Sequence, residues 1–453
     1  MLGDIDDIGS VPKSLLHRSV VKLTGRTSVQ LLDEIEVQRA TEGVEGFTSI
    51  VLKVRVPYRF DDQEETRWVT FFVKRLPVDE YQLGLVVPAQ FFLREGTYME
   101  KFLPEMIDVS QGKVAVPIPV CYAATYGGLD DAIVLQDLGI EGYRTPSRNY
   151  QSSGLDLEHC EVAMEALGRL HALSIAAEKA MLSRTNQGWL DAFPVFSRDS
   201  LWYEPKADDP KPFFEDYMKG MSSTILTLAK EIDGLPTDPT TMETLEKVLR
   251  GMVPTLCHLL KPNPGGRNVV SHGDCWLSNM MFRYEKDEIG VERPTDAKLV
   301  DFQITRYCHP CVDLIYFLSL STSKSLRGKH LDKLISDYYK STVDCLNTLG
   351  LGSPPWSLDE FKEDFFGPYL MYGVILRTMF FPMLLLGDDF TPSDAECFSR
   401  EKLLEFVQTG NANTILNRFR NDTNFRRQIS DVVIDFVSVA LSGPISLAEV
   451  NNN

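Results

Sequence analysis

"VVSHGDCWLSNMMF", residues 269–282, places a histidine, a glycine, an aspartate, a tryptophan and an asparagine within eight positions, just ahead of an apolar run. Two readings compete. In one, these are loop polars that cap and turn the chain before a strand. In the other, Asp274 and Asn279 act together as part of a catalytic loop. The chain downstream bears on the choice. "NMMFRY" (279–284) and "AKLVDFQ" (297–303) read as two short strands joined by the polar, Gly- and Pro-containing turn "EKDEIGVERPTD". Paired as an antiparallel hairpin, they set the start of the first beside the end of the second. Asn279 and Asp301 then meet, with Asp274 just upstream.

Carboxylate and carboxamide oxygens suit a hard divalent ion such as Mg²⁺, which takes one or two carboxylates together with phosphate oxygens of a nucleotide. A third carboxylate held off the metal accepts a hydroxyl proton and orients the attacking oxygen. That is the division of labour in phosphoryl transfer, with Asp274 as base and Asn279 and Asp301 as metal ligands. Two upstream features favour this chemistry. In "RWVTFFVKRLP" (67–77), Val69, Phe71 and Val73 share one strand face and Lys74 points the other way, in a strand interior where lysine is disfavoured. In "QFFLREGTYMEKFLPE" (90–105), Phe91, Glu95, Tyr98 and Phe102 share one helix face, so Glu95 lies in an apolar seam and needs a cationic partner. Lys74 is the economical one. Gly43, Gly46 and Ser49, in "EGVEGFTSIVLKV" (42–54), would let backbone N–H groups approach phosphate. Neither a Walker A pattern nor a G-x-G-x-x-G is present, which removes support from P-loop and Rossmann readings.

The chain changes character near residue 137. Upstream, strand signals dominate: "SIVLKVRV" (49–56), the Lys74 segment, and "AIVLQDLG" (132–139). Downstream, Leu157, Cys160, Met164, Leu167 and His171 recur at helical spacing, and apolar-periodic segments fill roughly 212–232, 330–348, 358–386, 400–418 and 425–441. The expectation is an α+β, bilobal chain, with a small β-rich lobe over 1–136 and a larger, mostly helical lobe over 137–453. A net charge of −18 argues against nucleic acid or an anionic membrane as partner. Of eight cysteines, only Cys308 and Cys311 lie close together, in "CHPC". No second Cys/His pair follows at zinc spacing, so they read as ordinary reduced thiols. "MLGDIDDIGS" lacks a basic-then-apolar leader pattern, and "PYLMYGVILRTMFFPMLLLG" (368–387), interrupted by Arg377 and Pro382, reads as a kinked core helix rather than a span. A cytoplasmic protein is expected.

"HGDCWLSNMMF" followed by "LVDFQ" resembles the ecdysteroid kinase-like (CHK kinase-like) group, within the aminoglycoside phosphotransferase and choline kinase superfamily. "FFVKRLP", "FLREGTYMEKFLPE", "IVLQDLG", "LGRLHALS" and "CVDLIYFL" are similar to that group's segments in the same order, over about residues 40–325. The resemblance implies a bilobal protein-kinase-like fold that uses ATP and Mg²⁺ to phosphorylate a hydroxyl of a small molecule. An ecdysteroid or related sterol is the expected acceptor, with a choline- or aminoglycoside-type acceptor as the alternative. A ligand-binding protein that keeps a kinase scaffold without catalysis is the competing class. By position, Lys74 and Glu95 match the phosphate-positioning pair, Asp274 the base, and Asn279 and Asp301 the magnesium ligands. Leu135–Leu138, which includes Gln136, matches the hinge bordering adenine. His272 is expected to brace the loop, His171 to pack in the core, Asp313 to cap a helix or support the loop, and Trp276 to form wall. Two departures stand out: "GVEGFTS" lacks the Asn the group tends to have near Gly46, and Asp301 is followed by Phe-Gln. The latter, together with HGD in place of H-R-D, disfavours a protein substrate. The 365–386 segment reads as core, with lining of an acceptor groove as the alternative.

Overall fold

Alternating apolar residues build the first part of the molecule. In the computed structural model, which describes residues 11–40, 48–128, 130–146, 153–207, 209, 211–212, 214–387 and 400–442, six strands form one antiparallel sheet. They are β1 (Val29–Leu31), β2 (Glu36–Arg39), β3 (Ile50–Phe60), β4 (Arg67–Arg75), β5 (Cys121–Thr125) and β6 (Ala132–Gln136), in the order β1-β3-β4-β6-β5, with β2 also on β3. Because side chains alternate across a strand, Leu52, Val54, Val56, Phe71 and Val73 face a core closed by Leu15, Leu16 and Val20 of the Lys13–Thr24 helix. The opposite face of β6, carrying Ile133 and Leu135, joins the main core of the helical part. Lys74 lies on that second face, paired in register with Ile133.

The Lys13–Thr24 helix departs from a strand-dominated reading of this region; its signal is brief, and Gly25 ends it in the left-handed region. The seam of Phe91, Glu95, Tyr98 and Phe102 is buried as expected. It is not one regular helix, however. An α-helix over Phe91–Thr97 passes through a π-turn over Tyr98–Phe102 into Leu103–Ser110. The Leu103 N–H bonds back to Tyr98 O beside Pro104, which has no N–H to continue an α ladder.

The rest is mostly helical. Asp156 caps the long Leu157–Thr185 helix by accepting the His159 N–H, and this helix packs against Lys324–Thr348. A helix over Pro239–Leu259, which the periodicity reading passed over, carries Pro254 in its interior. The 358–386 segment divides into Leu358–Phe366, Leu370–Met379 and Phe381–Leu384, broken near Gly367–Pro368 and again at Pro382. Much of it is core: Phe361, Tyr372, Ile375 and Met379 are all buried. Among the described residues, no helix is long and apolar enough to cross a membrane.

Inside this helical part lie β7 (Tyr143–Arg144), β8 (Val269–Ser271), β9 (Met280–Lys286), β10 (Glu292–Leu299) and β11 (Arg306–Cys308). The β9–β10 hairpin is longer than its sequence suggested, and its second strand ends earlier. Residues 285, 286, 292–294 and 296, read as turn, pair in the ladder, and Thr295 is skipped at a register slip between Pro294 and Asp296. A bulge is where a strand tolerates a proline that cannot donate. The stretch after Leu299 leaves the strand, because Asp301 adopts a φ of +70°. The chain is thus a mixed α+β, bilobal, kinase-like fold, with the sheet and the Phe91–Ser110 segment on one side and the hairpin and helices on the other.

Candidate active site

At its base the hairpin pairs as its spacing predicts. Met280 pairs with Leu299, and the Val300 N–H donates to Asn279 O at 3.0 Å, so Asn279 and Asp301 flank the last rung. Asn279 Nδ2 donates to both Asp274 O and Asp274 Oδ2 at 2.9 Å. That commits the amide nitrogen and leaves the carboxamide oxygen as the atom able to take a cation.

From the sheet side, Lys74 Nζ reaches Glu95 Oε2 at 2.6 Å and Asp301 Oδ1 at 2.5 Å, across 227 residues of sequence in the second case. Glu95 is fully buried, and its other oxygen accepts the Phe302 N–H at 3.2 Å. Burial works against the Lys74 ammonium, but the Asp301 and Glu95 carboxylates outweigh it, and the lysine pKa is raised. Phe302, next to Asp301, stacks on Tyr98 of the π-turn with ring centroids 4.5 Å apart. The same segment that supplies Glu95 therefore also seats the backbone that carries Asp301.

The "SHGD" loop is braced from several directions. His272 Nε2 donates to Val300 O at 2.8 Å, and its Nδ1 accepts the Asp274 N–H at 3.2 Å, roles assigned from the two partners. Gly273 has a φ of +86°, and a Cβ there would fall 2.2 Å from Ile304 O, so only glycine fits. Asp313, fully buried in the first turn of the Cys311–Ser321 helix, accepts the His272 N–H at 2.7 Å and the Gly273 N–H at 2.8 Å. His171 holds Asp313 at 3.1 Å and Tyr338 at 2.8 Å. Burial alone would raise the Asp313 pKa; the His171 contact and the two loop donors reverse that and hold it below the usual carboxylate range. For Asp274 the balance goes the other way. Burial, with the nearby Asp301 charge, raises its pKa against the opposing hydrogen bonds from Tyr316 and Asn279.

Lys74, Glu95, Asp274, Asn279 and Asp301 thus come together. Gln136 ends β6, with its Oε1 accepting the Val120 N–H at 3.1 Å, and Leu138 is buried at the start of a 3₁₀ turn, Leu138–Glu141. Ser49 lies just ahead of β3, while Gly43 and Gly46 lie outside the described residues. Trp276 packs half-buried against the main core. Cys308 and Cys311 are both buried, and Cys308 Sγ lies 3.2 Å from Ser271 Oγ. Among the described residues, no group of three His, Cys, Asp or Glu side chains is placed to hold a metal ion. An asparagine–aspartate pair is a different donor set, completed by water and phosphate oxygens.

Sequence reasoning passed over one residue in this cluster. Tyr316 donates its hydroxyl to Asp274 Oδ1 at 2.6 Å. The available signal was its place three residues after Asp313, which puts both on neighbouring positions of one helix.

Among solved structures, the chain aligns with the GDP complex of a point mutant of an aminoglycoside 2'-phosphotransferase-IIIa. The match has 12% sequence identity and a TM-score of 0.33, over 94% of this chain and 97% of that one. No curated protein matches the chain. The ecdysteroid kinase-like family model, by contrast, matches residues 43–351, well over half the length, and the chain belongs to that family.

Proposed function

We propose that this chain is an ATP- and Mg²⁺-dependent small-molecule kinase that transfers the γ-phosphate to a hydroxyl of a small acceptor, with an ecdysteroid or related sterol as the leading candidate. The observation that carries the reading is the single ammonium of Lys74 held between Glu95 and Asp301, with Asp274 and Asn279 one hairpin rung away. Lys74, held in place by Glu95, binds and orients the nucleotide phosphates. Gly43, Gly46 and Ser49 cover them, and Gln136 and Leu138 border the adenine at a lobe boundary between residues 136 and 137. Asn279 and Asp301 would hold Mg²⁺, which when bound supplies charge neutralisation at the phosphate oxygens. Asp274 accepts the proton of the acceptor hydroxyl as its oxygen attacks, and its raised pKa suits a base. The reading places the protein in the cytoplasm, where ATP is available.

The test is an ADP-release screen with MgATP against ecdysteroids, other sterols, choline-like amines and aminoglycosides, run beside thermal-shift titration with MgATP. Asp274→Asn should lower turnover by about 100- to 10,000-fold, the usual share of general-base catalysis, and keep the MgATP thermal shift. Undiminished turnover in that variant removes Asp274 from the base role. A wild-type chain with neither ADP release nor a MgATP shift ends the kinase reading.

A further inference from the structure

A carboxylate that receives a proton must present a lone pair to the incoming hydroxyl, and it must not rotate while doing so. Both oxygens of Asp274 are engaged. Oδ2 accepts Asn279 Nδ2 at 2.9 Å, and Oδ1 accepts the Tyr316 hydroxyl at 2.6 Å. Each carboxylate oxygen has capacity for a second hydrogen bond, so these contacts orient the group without exhausting it. Asn279 fixes one end from the loop itself. Tyr316 fixes the other from a separate helix, 42 residues away in sequence.

That helix, Cys311–Ser321, grips the loop at three points. Asp313 takes the His272 and Gly273 N–H groups, Tyr316 takes the Asp274 carboxylate, and Ser321 Oγ accepts the Leu277 N–H at 2.9 Å. Asp313 and Tyr316 are three residues apart and share a face. The backbone of the loop and its reacting side chain are therefore located by one rigid element. The Tyr316 ring lies 6.4 Å from that of Tyr372, which is itself buried on the Leu370–Met379 helix. The hydroxyl itself is located by its 2.6 Å bond to Asp274 Oδ1.

We infer that Tyr316 is a positioning residue for the proposed base: its hydroxyl pins Asp274 Oδ1, and with Asn279 on Oδ2 it fixes the carboxylate's orientation so that an acceptor alcohol meets a lone pair left free by those two bonds. The inference rests on the kinase reading, since it gives Tyr316 a task only if Asp274 is the base.

The experiment is a double-mutant cycle on the full chain with Tyr316→Phe, which keeps the ring and removes only the hydroxyl. Turnover, KM for ATP, the MgATP thermal shift and the melting temperature are measured in wild type, Tyr316→Phe, Asp274→Asn and the double variant. Tyr316→Phe should lower kcat about 10- to 30-fold, a fraction of the general-base contribution, with KM for ATP unchanged and the melting temperature lowered by no more than about 4 °C. In the Asp274→Asn background the same change should cost less than twofold, because groups acting as a unit are not additive. A merely structural tyrosine would lower activity equally in both backgrounds, and that result overturns the inference. So does a Tyr316→Phe protein with wild-type kcat, or a phosphate found on Tyr316 itself by mass spectrometry after incubation with MgATP. A wild-type chain that neither binds MgATP nor releases ADP fails earlier and sinks the kinase reading, this inference with it. An active wild type with an unaffected variant sinks this inference alone.

Discussion

Replacing Gly273 by alanine should damage the molecule out of proportion to one methyl group. The backbone there has a φ of +86°, and an added Cβ would lie 2.2 Å from Ile304 O. Placing an L-residue in the left-handed region costs about 1–2 kcal/mol. The clash comes on top. The Cβ and the carbonyl must separate by roughly 1 Å to reach ordinary van der Waals contact, between two buried segments, and overpacking of this kind adds about 1–3 kcal/mol. Gly266 isolates the first contribution, because its φ is +74° and nothing lies within 4 Å of its ideal Cβ. Gly266→Ala should therefore lower the free energy of unfolding by about 1–2 kcal/mol and Gly273→Ala by about 2–5 kcal/mol, read from urea denaturation with unchanged slope. The activity should separate further. Gly273 lies between His272 and Asp274, so a 1 Å displacement there moves the proposed base itself, and such misplacement costs about 100-fold in rate. Gly266→Ala should leave kcat unaltered. Equal destabilisation in the two variants, with turnover in Gly273→Ala within twofold of wild type, would refute the steric argument.

Lys74→Met leaves Glu95 buried without its cation, which should cost about 3–5 kcal/mol in urea denaturation and abolish the MgATP thermal shift. Adding Glu95→Gln should restore part of the stability and none of the shift; a Lys74→Met protein as stable as wild type would contradict the pairing. His309 supplies a pH dependence. Its Nδ1 accepts the Cys311 N–H and its Nε2 donates to Asp364, and burial, with Arg267 nearby, pushes its pKa from the ordinary 6.5 down to about 3. The unfolded chain binds this proton below pH 6.5 and the folded chain does not, so stability is full above that pH and is lost as pH falls from 6.5 towards 3. Between pH 6.5 and 5.5 this group alone should remove about 1 kcal/mol. His309→Gln should flatten that part of the profile, and an unchanged slope would assign it elsewhere.

What could be read from the sequence depended on how local each signal was. Lys74 was legible because strand alternation sets its face by its immediate neighbours, and Glu95 because a carboxylate interrupts an otherwise apolar seam. Asn279 and Asp301 needed one further step, a hairpin, and the pairing of Met280 with Leu299 supplies it. The π-turn after Thr97 was not legible, since an extra residue in a turn leaves the apolar faces on both sides intact. The Lys13–Thr24 helix is short, amphipathic and uncapped by any side chain, so it carried little periodic signal among strands. The early end of β10 goes with the positive φ of Asp301, whose side chain is held by Lys74 from 227 residues away, and no local pattern announces either. Tyr316 illustrates the remaining limit. Its partner is 42 residues upstream, and nothing in "VDLIYFL" distinguishes a hydroxyl aimed at a carboxylate from one buried in a core.

The β9–β10 hairpin separates chain length from geometry. Its far end is a tight turn tied by Asp287 Oδ1, which accepts the Ile289 and Val291 N–H groups, and Ile289 there is 82% exposed. Seven rungs of cross-strand pairing lie between that tip and the end where Asn279 and Asp301 sit. Residues added at the tip lengthen a solvent-facing loop and are not transmitted down the ladder, so the tip is a natural place to graft a label or a tether. A single residue added below the last rung, by contrast, would turn one donor away from the other. The same two-stranded element is thus permissive at one end and intolerant at the other.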